Sequence, residues 1–343
     1  MLQTLYKVIK ILAMPNSSGS AYWRLIDPLN TLKKVYPNEY DVKIIDRPIT
    51  VEDCEWADLF ITQSIIDIDS LSLIYYYKKD KGKKFILEVD DYIKLNDDNP
   101  YAIDHKKTNA KEIISACMGL ADGITVTTNY LAKKVKKFNK NVAVLPNYML
   151  MDRWDLPTLP NDSEEVRIGY TGSITHKKDV EYIVKPLIGL LINRPNVKLI
   201  LVGDPRLKNL FKNFEHRVEM YLGVPFEDYP TRLHGLRFDI GLAPLRPTEF
   251  NKCKSGIKAL EYGICKVPVI ASSIHPYIET VKNDKTGFLA IKESAWITYL
   301  EILIDNKERR RKMGKASYEL VKRKYNLETN IHMWHTYYQS LFK

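Results

Sequence analysis

The sequence predicts an α/β protein made of two consecutive, doubly wound halves. Three observations predict it. The chain has 343 residues, too many for one ordinary core, so two domains are expected. Short apolar runs alternate with helical patterns almost to the end, the signature of parallel sheets covered by helices. The alternation breaks once, in a proline-bearing irregular stretch, and then restarts.

Taken in order, VIKILAM (8–14) is the first predicted strand, followed by a helix from about Ala21 to Val35. DVKIID (41–46) and ADLFITQ (57–63) are strands, LSLIYYYKK is helical, and FILEVDD (85–91) is a strand. A helix over about Ala110–Met118 precedes the strand GITVTT (123–128), the helix TNYLAKKVKKF and the strand VAVLPN (142–147). Pro146 to Glu165 is turn-rich and holds Pro157 and Pro160. The first domain is therefore placed at 1–150 and a linker at 151–165. The second domain, 166–325, has strand candidates VRIGYTG (166–172), VKLILVG (197–203), FDIGLAPL (238–245), VPVIAS (267–272) and GFLAI (287–291). A last helix, 326–343, ends in MWHTYYQSLF and is expected to pack back on the first domain. Two Rossmann-like halves joined by a linker predict a cleft, where ligands are preferred.

Composition narrows the class. Hydrophobic residues are 45% and charged residues 27%, as in a soluble globular protein rather than a disordered one. Cys54, Cys117, Cys253 and Cys265 are widely spaced with no CxxC pair, so neither a disulfide framework nor a zinc site is indicated. Lys7 and Lys10 interrupt the N-terminal apolar run, which argues against a signal peptide. No stretch is long enough for a membrane span. A cytoplasmic location, peripheral at the inner membrane face, is the expectation. The net charge of +10 favours a negatively charged partner: nucleic acid, an anionic membrane face or a phosphorylated substrate.

The most informative segment is FNKCKSGIKALEYGICKVPVIAS (250–272). Ser255-Gly256 can start a helix that Gly263 can end. Free N–H groups at Ser255, Gly256 and Ile257 would suit a phosphate, and Lys254 adds charge there. Lys254, Lys258 and Glu261 are spaced i, i+4, i+7, on one helical face. Glu261 would then lie roughly 10 Å along the axis from Lys254, a plausible span from a diphosphate to ribose hydroxyls. Spacing alone equally allows a surface helix with a Lys258–Glu261 pair.

These residues resemble the retaining GT-B glycosyltransferases, in particular the glycosyltransferase family 4-like (group 1) families. There an E-x7-E motif is followed by Gly and a PVIAS-type strand. Glu261 matches the second Glu, and Pro268 to Ser272 match the strand. The resemblance implies that Glu261 holds the donor ribose. Cys253 stands in place of the first Glu, so donor-sugar recognition differs from the family's common pattern. The form FN-x-CKS-x-IK-x-LEYG looks like a cell-surface polysaccharide and phage-type branch.

GYTGSITHKKD (169–179) resembles the family's G-R-x4-K-G loop, which clamps the donor diphosphate. Gly172 and Lys178 match, Ser173 replaces the Arg, and His176 is an extra group in reach of phosphates. A strand-to-helix turn with solvated lysines is the plain alternative. LVGDP (201–205), with Gly203, and Leu222-Gly223-Val224-Pro225 resemble the strand end and the base-holding loop. In the first half, MPNSSGSAYWR (14–24) has no G-x-G-x-x-G, so dinucleotide binding is a poor reading. Gly19 allows close approach to a ligand, and the family has its glycine-rich loop here. Tyr22 and Arg24 could contact sugar or phosphate, although Tyr22 could equally be packing. Asp90 and Asp91 end a strand and could bind acceptor hydroxyls or a cation, or cap and solvate the next turn. Their side chains would point to opposite faces of an extended strand, which argues against a two-carboxylate glycosidase.

The lysines 133, 134, 136, 137 and 140 and the run KKDKGKK (78–84) could meet an anionic membrane or a nucleic-acid backbone, or simply be solvated. RRRKMGK (309–315) reads most simply as a solvated turn. The resemblance implies a retaining transferase with no obligatory metal or cofactor. A nucleotide diphosphate sugar, with UDP favoured, is the donor, and a saccharide or lipid-linked saccharide is the acceptor. Lys178, Lys254 and the helix start would stabilise the leaving diphosphate. Three rivals remain open: a phage-type DNA glycosyltransferase acting on hydroxymethylated bases, a sugar-nucleotide epimerase, and a non-catalytic nucleotide-sugar binding protein.

Overall fold

The computed structural model describes residues 8–16, 19–63 and 67–343. The start of the chain, with Lys7, and Ser17 and Ser18 of the glycine-bearing loop lie outside the described residues. The chain forms two units.

Unit 1 comprises Met1–Leu95, Tyr101–Leu150 and Leu327–Lys343. Its strands are β1 (Ile9–Met14), β2 (Tyr40–Ile44), β3 (Leu59–Gln63), β4 (Lys84–Val89), β5 (Gly123–Val126) and β6 (Val142–Val144), in the order β2-β1-β3-β4-β5-β6. Every pairing is parallel. β3 is buried at all five residues, which suits a strand covered on both faces and explains its continuous apolar run. The order reverses between β1 and β3. The predicted first helix is a π-turn, Tyr22–Ile26, followed by an α-helix, Asp27–Val35, with Pro28 in its first turn.

That π-turn buries Arg24 completely. Its Nε donates to Glu88 Oε1 at 2.7 Å, and its Nη1 donates to the Leu145 carbonyl and to Asn147 Oδ1. Thr125 Oγ1 donates to the other Glu88 oxygen. Arg24 thus ties three strand ends together and is not available to an acceptor, contrary to the expectation. Helix His332–Ser340 belongs to the same unit. The His335 ring stacks on Tyr36 at 4.2 Å, and Trp334 meets Tyr148 edge-on. The predicted basic helix stops at Val135. Lys136, Lys137 and Lys140 fall beyond it, so the five lysines do not form one helical face.

Unit 2 comprises Asn96–Pro100 and Met151–Asn326. Its strands are β7 (Val166–Gly172), β8 (Val197–Gly203), β9 (Val218–Leu222), β10 (Ile240–Ala243), β11 (Val269–Ser272) and β12 (Gly287–Ala290), again all parallel, in the order β12-β11-β10-β7-β8-β9. The sequence reading missed β9. VEMYL is half-buried on an edge, so it lacks the apolar run of its neighbours. The irregular stretch is anchored here by Trp154, fully buried and edge-on to Phe226 and Tyr229.

Two expectations for this unit need correction. Residues 309–315 are not a turn but part of helix Lys307–Lys324, with Arg310 and Met313 buried. Gly263 does not end its helix, which runs from Ile257 to Ile264. A Cβ on Gly263 would lie 2.6 Å from Ser317 Oγ. The glycine therefore lets the two helices approach, and Lys266, at φ +59°, makes the turn.

Candidate functional site

The sheet of unit 2 reverses direction at β7: β8 and β9 follow on one side, β10, β11 and β12 on the other. In such sheets ligands bind beyond the C-terminal strand ends at the reversal. β7 and β8 end in register at Gly172 and Gly203. Gly203 has φ +116°, and a Cβ there would sit 2.0 Å from the Gly172 carbonyl oxygen. A Cβ on Gly172 would meet the Tyr170 hydroxyl at 2.3 Å. Both glycines are therefore required by close packing within the unit, and both strands end in bare backbone.

The loop after β7 leads into a short 3-10 turn, Ile174–His176, and helix Lys177–Glu181. Its organiser is Asp179, a residue to which the sequence reading gave no role. Asp179 Oδ2 lies 3.0 Å from His176 Nδ1, while Oδ1 accepts from the Arg246 backbone N–H (3.0 Å) and from Asn251 Nδ2 (2.8 Å). These bonds hold its carboxyl below the usual carboxylate range despite burial. An ionised carboxylate only accepts, so His176 carries its proton on Nδ1 and leaves Nε2 as an acceptor. Burial, with Lys254 and Lys258 nearby, lowers His176 to about 4, against the opposing pull of Asp179. Arg246 is itself fixed by Asp98, 2.6 Å away, and Asn96 Nδ2 donates to Thr248 Oγ1. Thr248 caps helix Glu249–Lys252, which leads into the Lys254 turn.

The next helix, Ile257–Ile264, starts at Gly256. A Cβ on Gly256 would meet Thr280 at 2.5 Å, so glycine here allows close packing. Lys254 and Ser255 lie in the turn ahead of the helix. The helical spacing drawn from Lys254 therefore does not apply, although Lys258 and Glu261 do share a face. Lys254 Nζ stands 4.6 Å from the Phe250 ring centroid, and Lys258 Nζ stands 5.8 Å from that of Tyr170. Burial and the Lys254 charge lower the Lys258 ammonium, and Glu261 opposes them. Burial raises the Glu261 carboxyl, against the Lys258 charge and a hydrogen bond from Tyr229. The Tyr229 hydroxyl donates to Glu261 Oε2 at 3.2 Å and lies 3.0 Å from Thr171 Oγ1. Tyr229 thereby joins Glu261 to the end of β7. Cys253, at the position of the absent first Glu, is fully buried.

The structure thus gathers His176, Lys254 and Lys258 within electrostatic reach of one another, with Glu261 in reach of Lys258, beside the helix start and the glycine strand ends. Lys178 is different: half-exposed, it pairs with Glu181 at 2.7 Å. Ser173 Oγ is engaged by Thr175. Val224 lies in an open loop after β9, at the same sheet edge. Asp179, Arg246, Asn251 and Tyr229 are the additions that sequence spacing did not provide, whereas spacing already places Lys258 on the Glu261 face. Asp179 is linked to Arg246 and Asn251 across 67 and 72 residues of chain.

At the corresponding edge of unit 1, Gln63 Nε2 donates to Ser20 Oγ (2.9 Å) and reaches Asp90 Oδ2 at 3.4 Å. Burial and the neighbouring Asp91 raise the Asp90 carboxyl. Asp91 and Gly19 are exposed and Tyr22 half-buried. No group of three or more His, Cys, Asp or Glu among the described residues is placed to hold a metal ion.

Residues 155–320 match the family model of glycosyl transferases group 1. The second unit is a group 1 glycosyltransferase domain. Solved structures add the fold of the rest. Sucrose-phosphate synthase from Thermosynechococcus elongatus is similar with a TM-score of 0.71 at 16% identity, over 98% of this chain and 99% of its own. HepE from Anabaena, solved with UDP and glucose, has a TM-score of 0.72 at 13% identity, over 97% of this chain and 100% of its own. A point mutant of TarM from S. aureus, solved with fondaparinux, alpha-GlcNAc-glycerol and UDP, gives 0.62 at 14% identity, over 81% of this chain and 55% of its own. No curated protein matches the chain in sequence. The transferase therefore has the GT-B fold, and its expected class, nucleotide-sugar-dependent and retaining, stands.

Proposed function

We propose that this transferase takes its sugar from a UDP-sugar and passes it to a saccharide hydroxyl, free or lipid-linked. The carrying observation is the buried Glu261 one helical turn from Lys258, beside a helix start flanked by Lys254 and the neutral His176. Glu261 accepts the ribose hydroxyls. The backbone N–H groups at Ser255, Gly256 and Ile257, with Lys254 and Lys258, take the diphosphate. Asp179 holds the His176 ring so that Nε2 faces a ligand only as an acceptor. It receives a donor hydroxyl, or takes up a proton as the diphosphate dianion arrives. The bare ends of β7 and β8 at Gly172 and Gly203 admit the sugar phosphate, and the Val224 loop receives the base through its backbone. UDP in the solved HepE and TarM structures supports this choice of base.

In the reaction, the bond from the anomeric carbon to the diphosphate oxygen breaks as the acceptor oxygen bonds to the same face. The acceptor proton passes to the departing phosphate oxygen, so no protein base is assigned. Charge building on that phosphate is stabilised by Lys254, Lys258 and the helix start. Gly19 and Tyr22, which follow β1, and Asp90 and Asp91, which follow β4, are proposed for the acceptor.

A screen of UDP-, GDP- and CMP-sugars for slow donor hydrolysis tests the reading. UDP-sugar turnover is expected, falling roughly 100-fold in Lys258→Met if that cation serves the leaving group. Binding without turnover for every donor would instead support a non-catalytic binding protein. For the acceptor, a liposome pull-down beside a DNA gel shift at matched salt separates a lipid-linked saccharide from a modified DNA base.

A further inference from the structure

A second site lies at the opposite edge of the unit 2 sheet. There a cavity of about 570 Å³ opens between helix Lys307–Lys324 and the N-terminal ends of the strands. Phe238 and Asp239 precede β10 and Pro268 precedes β11. The strands are parallel, and β10 and β11 have four residues each, so the cavity is at least about 13 Å from the donor end. Its volume falls within the roughly 300–1,000 Å³ of small-molecule sites.

The lining is lopsided in charge. Lys266, Lys307, Arg310, Arg311 and Lys315 face two carboxylates, Asp239 and Glu319. Lys307, Arg311 and Lys315 are spaced i, i+4, i+8, one exposed stripe of the helix. Lys307 and Lys315 have no ion pair among the described residues. Asp239 accepts at Oδ2 from Asn161 Nδ2 (2.7 Å) and from the Arg167 backbone (2.9 Å), and its Oδ1 faces Arg310. Arg310 is buried and gives Nη1 to the carbonyls of Leu303 and Ile304. Its buried Nε makes no hydrogen bond, and the nearest carboxylate oxygen, on Asp239, is 3.5 Å away. Arg310 Nε is thus ion-paired with Asp239 Oδ1 but not hydrogen-bonded, and a buried donor gains from a closer acceptor. The Phe238, Pro268 and Leu159 side chains add an apolar wall.

We infer that this cavity binds a phosphate group carried on an apolar arm, as in a phosphorylated lipid or a free organic phosphate. The phosphate sits against the Lys307–Lys315 stripe and Arg310, and the arm lies along the apolar wall. The site touches Cys265 and Lys266, at the end of the helix whose other end carries Lys258.

Calorimetric titration of hexyl phosphate at low salt tests this. Wild type and Lys258→Ala should bind alike, inorganic phosphate should bind more weakly, and the exposed double variant Lys307→Ala/Lys315→Ala should bind about tenfold or more weakly. The double variant leaves the core untouched, and its thermal unfolding should match wild type. Equal binding by the double variant, loss of binding in Lys258→Ala alone, or no binding by wild type at millimolar probe overturns the site. Vesicles containing phosphatidylglycerol form the second arm. Sedimentation that depends on Lys307 and Lys315 identifies a lipid as the source. Hexyl phosphate binding without sedimentation identifies a soluble phosphate.

Discussion

His176 illustrates how one side chain is set by partners far away in sequence. Its ring is neutral because it is buried beside Lys254 and Lys258, and it is oriented because Asp179 is held by Arg246 and Asn251. The consequence for stability has a definite sign. The folded value, about 4, lies below the unfolded value of about 6.5. The unfolded chain therefore binds more protons between those limits, and stability falls as pH drops through that window. Urea unfolding should show about 2 kcal/mol lost between pH 7.5 and 5 from this group, and His176→Gln should remove that share of the loss. Arg24 makes the opposite point. Read as an acceptor contact, it is a buried clamp on Glu88. Arg24→Ala should cost about 3–5 kcal/mol because it strands a buried carboxylate, whereas Arg24→Met with Glu88→Leu should recover most of that in equilibrium unfolding. Residue types at strand ends were readable from the sequence. Which of them are spent internally was not, because burial of a charge depends on partners 64 and 123 residues away.

At the scale of elements, the helix Ile257–Ile264 carries the site and is placed by two glycines that need no unusual backbone angles. Gly256 abuts Thr280 and Gly263 abuts Ser317. Gly256→Ala should push the helix start away from its seat and weaken UDP binding several-fold, with Thr280→Ala in the same chain restoring most of it by calorimetry. Gly263→Ala should lower the thermal midpoint with a smaller effect on UDP affinity, since the contact is remote from the helix start. Strand positions were legible because buried parallel strands read as apolar runs: β7, β8 and β11 begin and end within two residues of expectation. β9 was not, since a half-buried edge strand carries no such run. The 309–315 basic cluster was misread for a related reason. Charge density masked a helix whose Arg310 and Met313 face inward.

At the scale of the whole molecule, twofold repetition of a six-stranded parallel sheet leaves each unit with one reversal of strand order. Chemistry-bearing residues gather beyond the strand ends there in both units. In unit 2 they are cationic around a buried carboxylate, and in unit 1 they are acidic and amide, as Asp90 and Gln63 show. The +10 charge of the chain is thus partly accounted for by cations grouped at the two ends of the unit 2 sheet rather than spread evenly. The central claim is that Glu261 holds the ribose of a UDP-sugar. Its most direct test is calorimetric affinity for UDP and for 2′,3′-dideoxy-UDP, in wild type and in Glu261→Ala. Wild type should prefer UDP by about tenfold, and the variant should bind the two equally. Undiminished preference in Glu261→Ala, with full UDP affinity, would contradict the assignment.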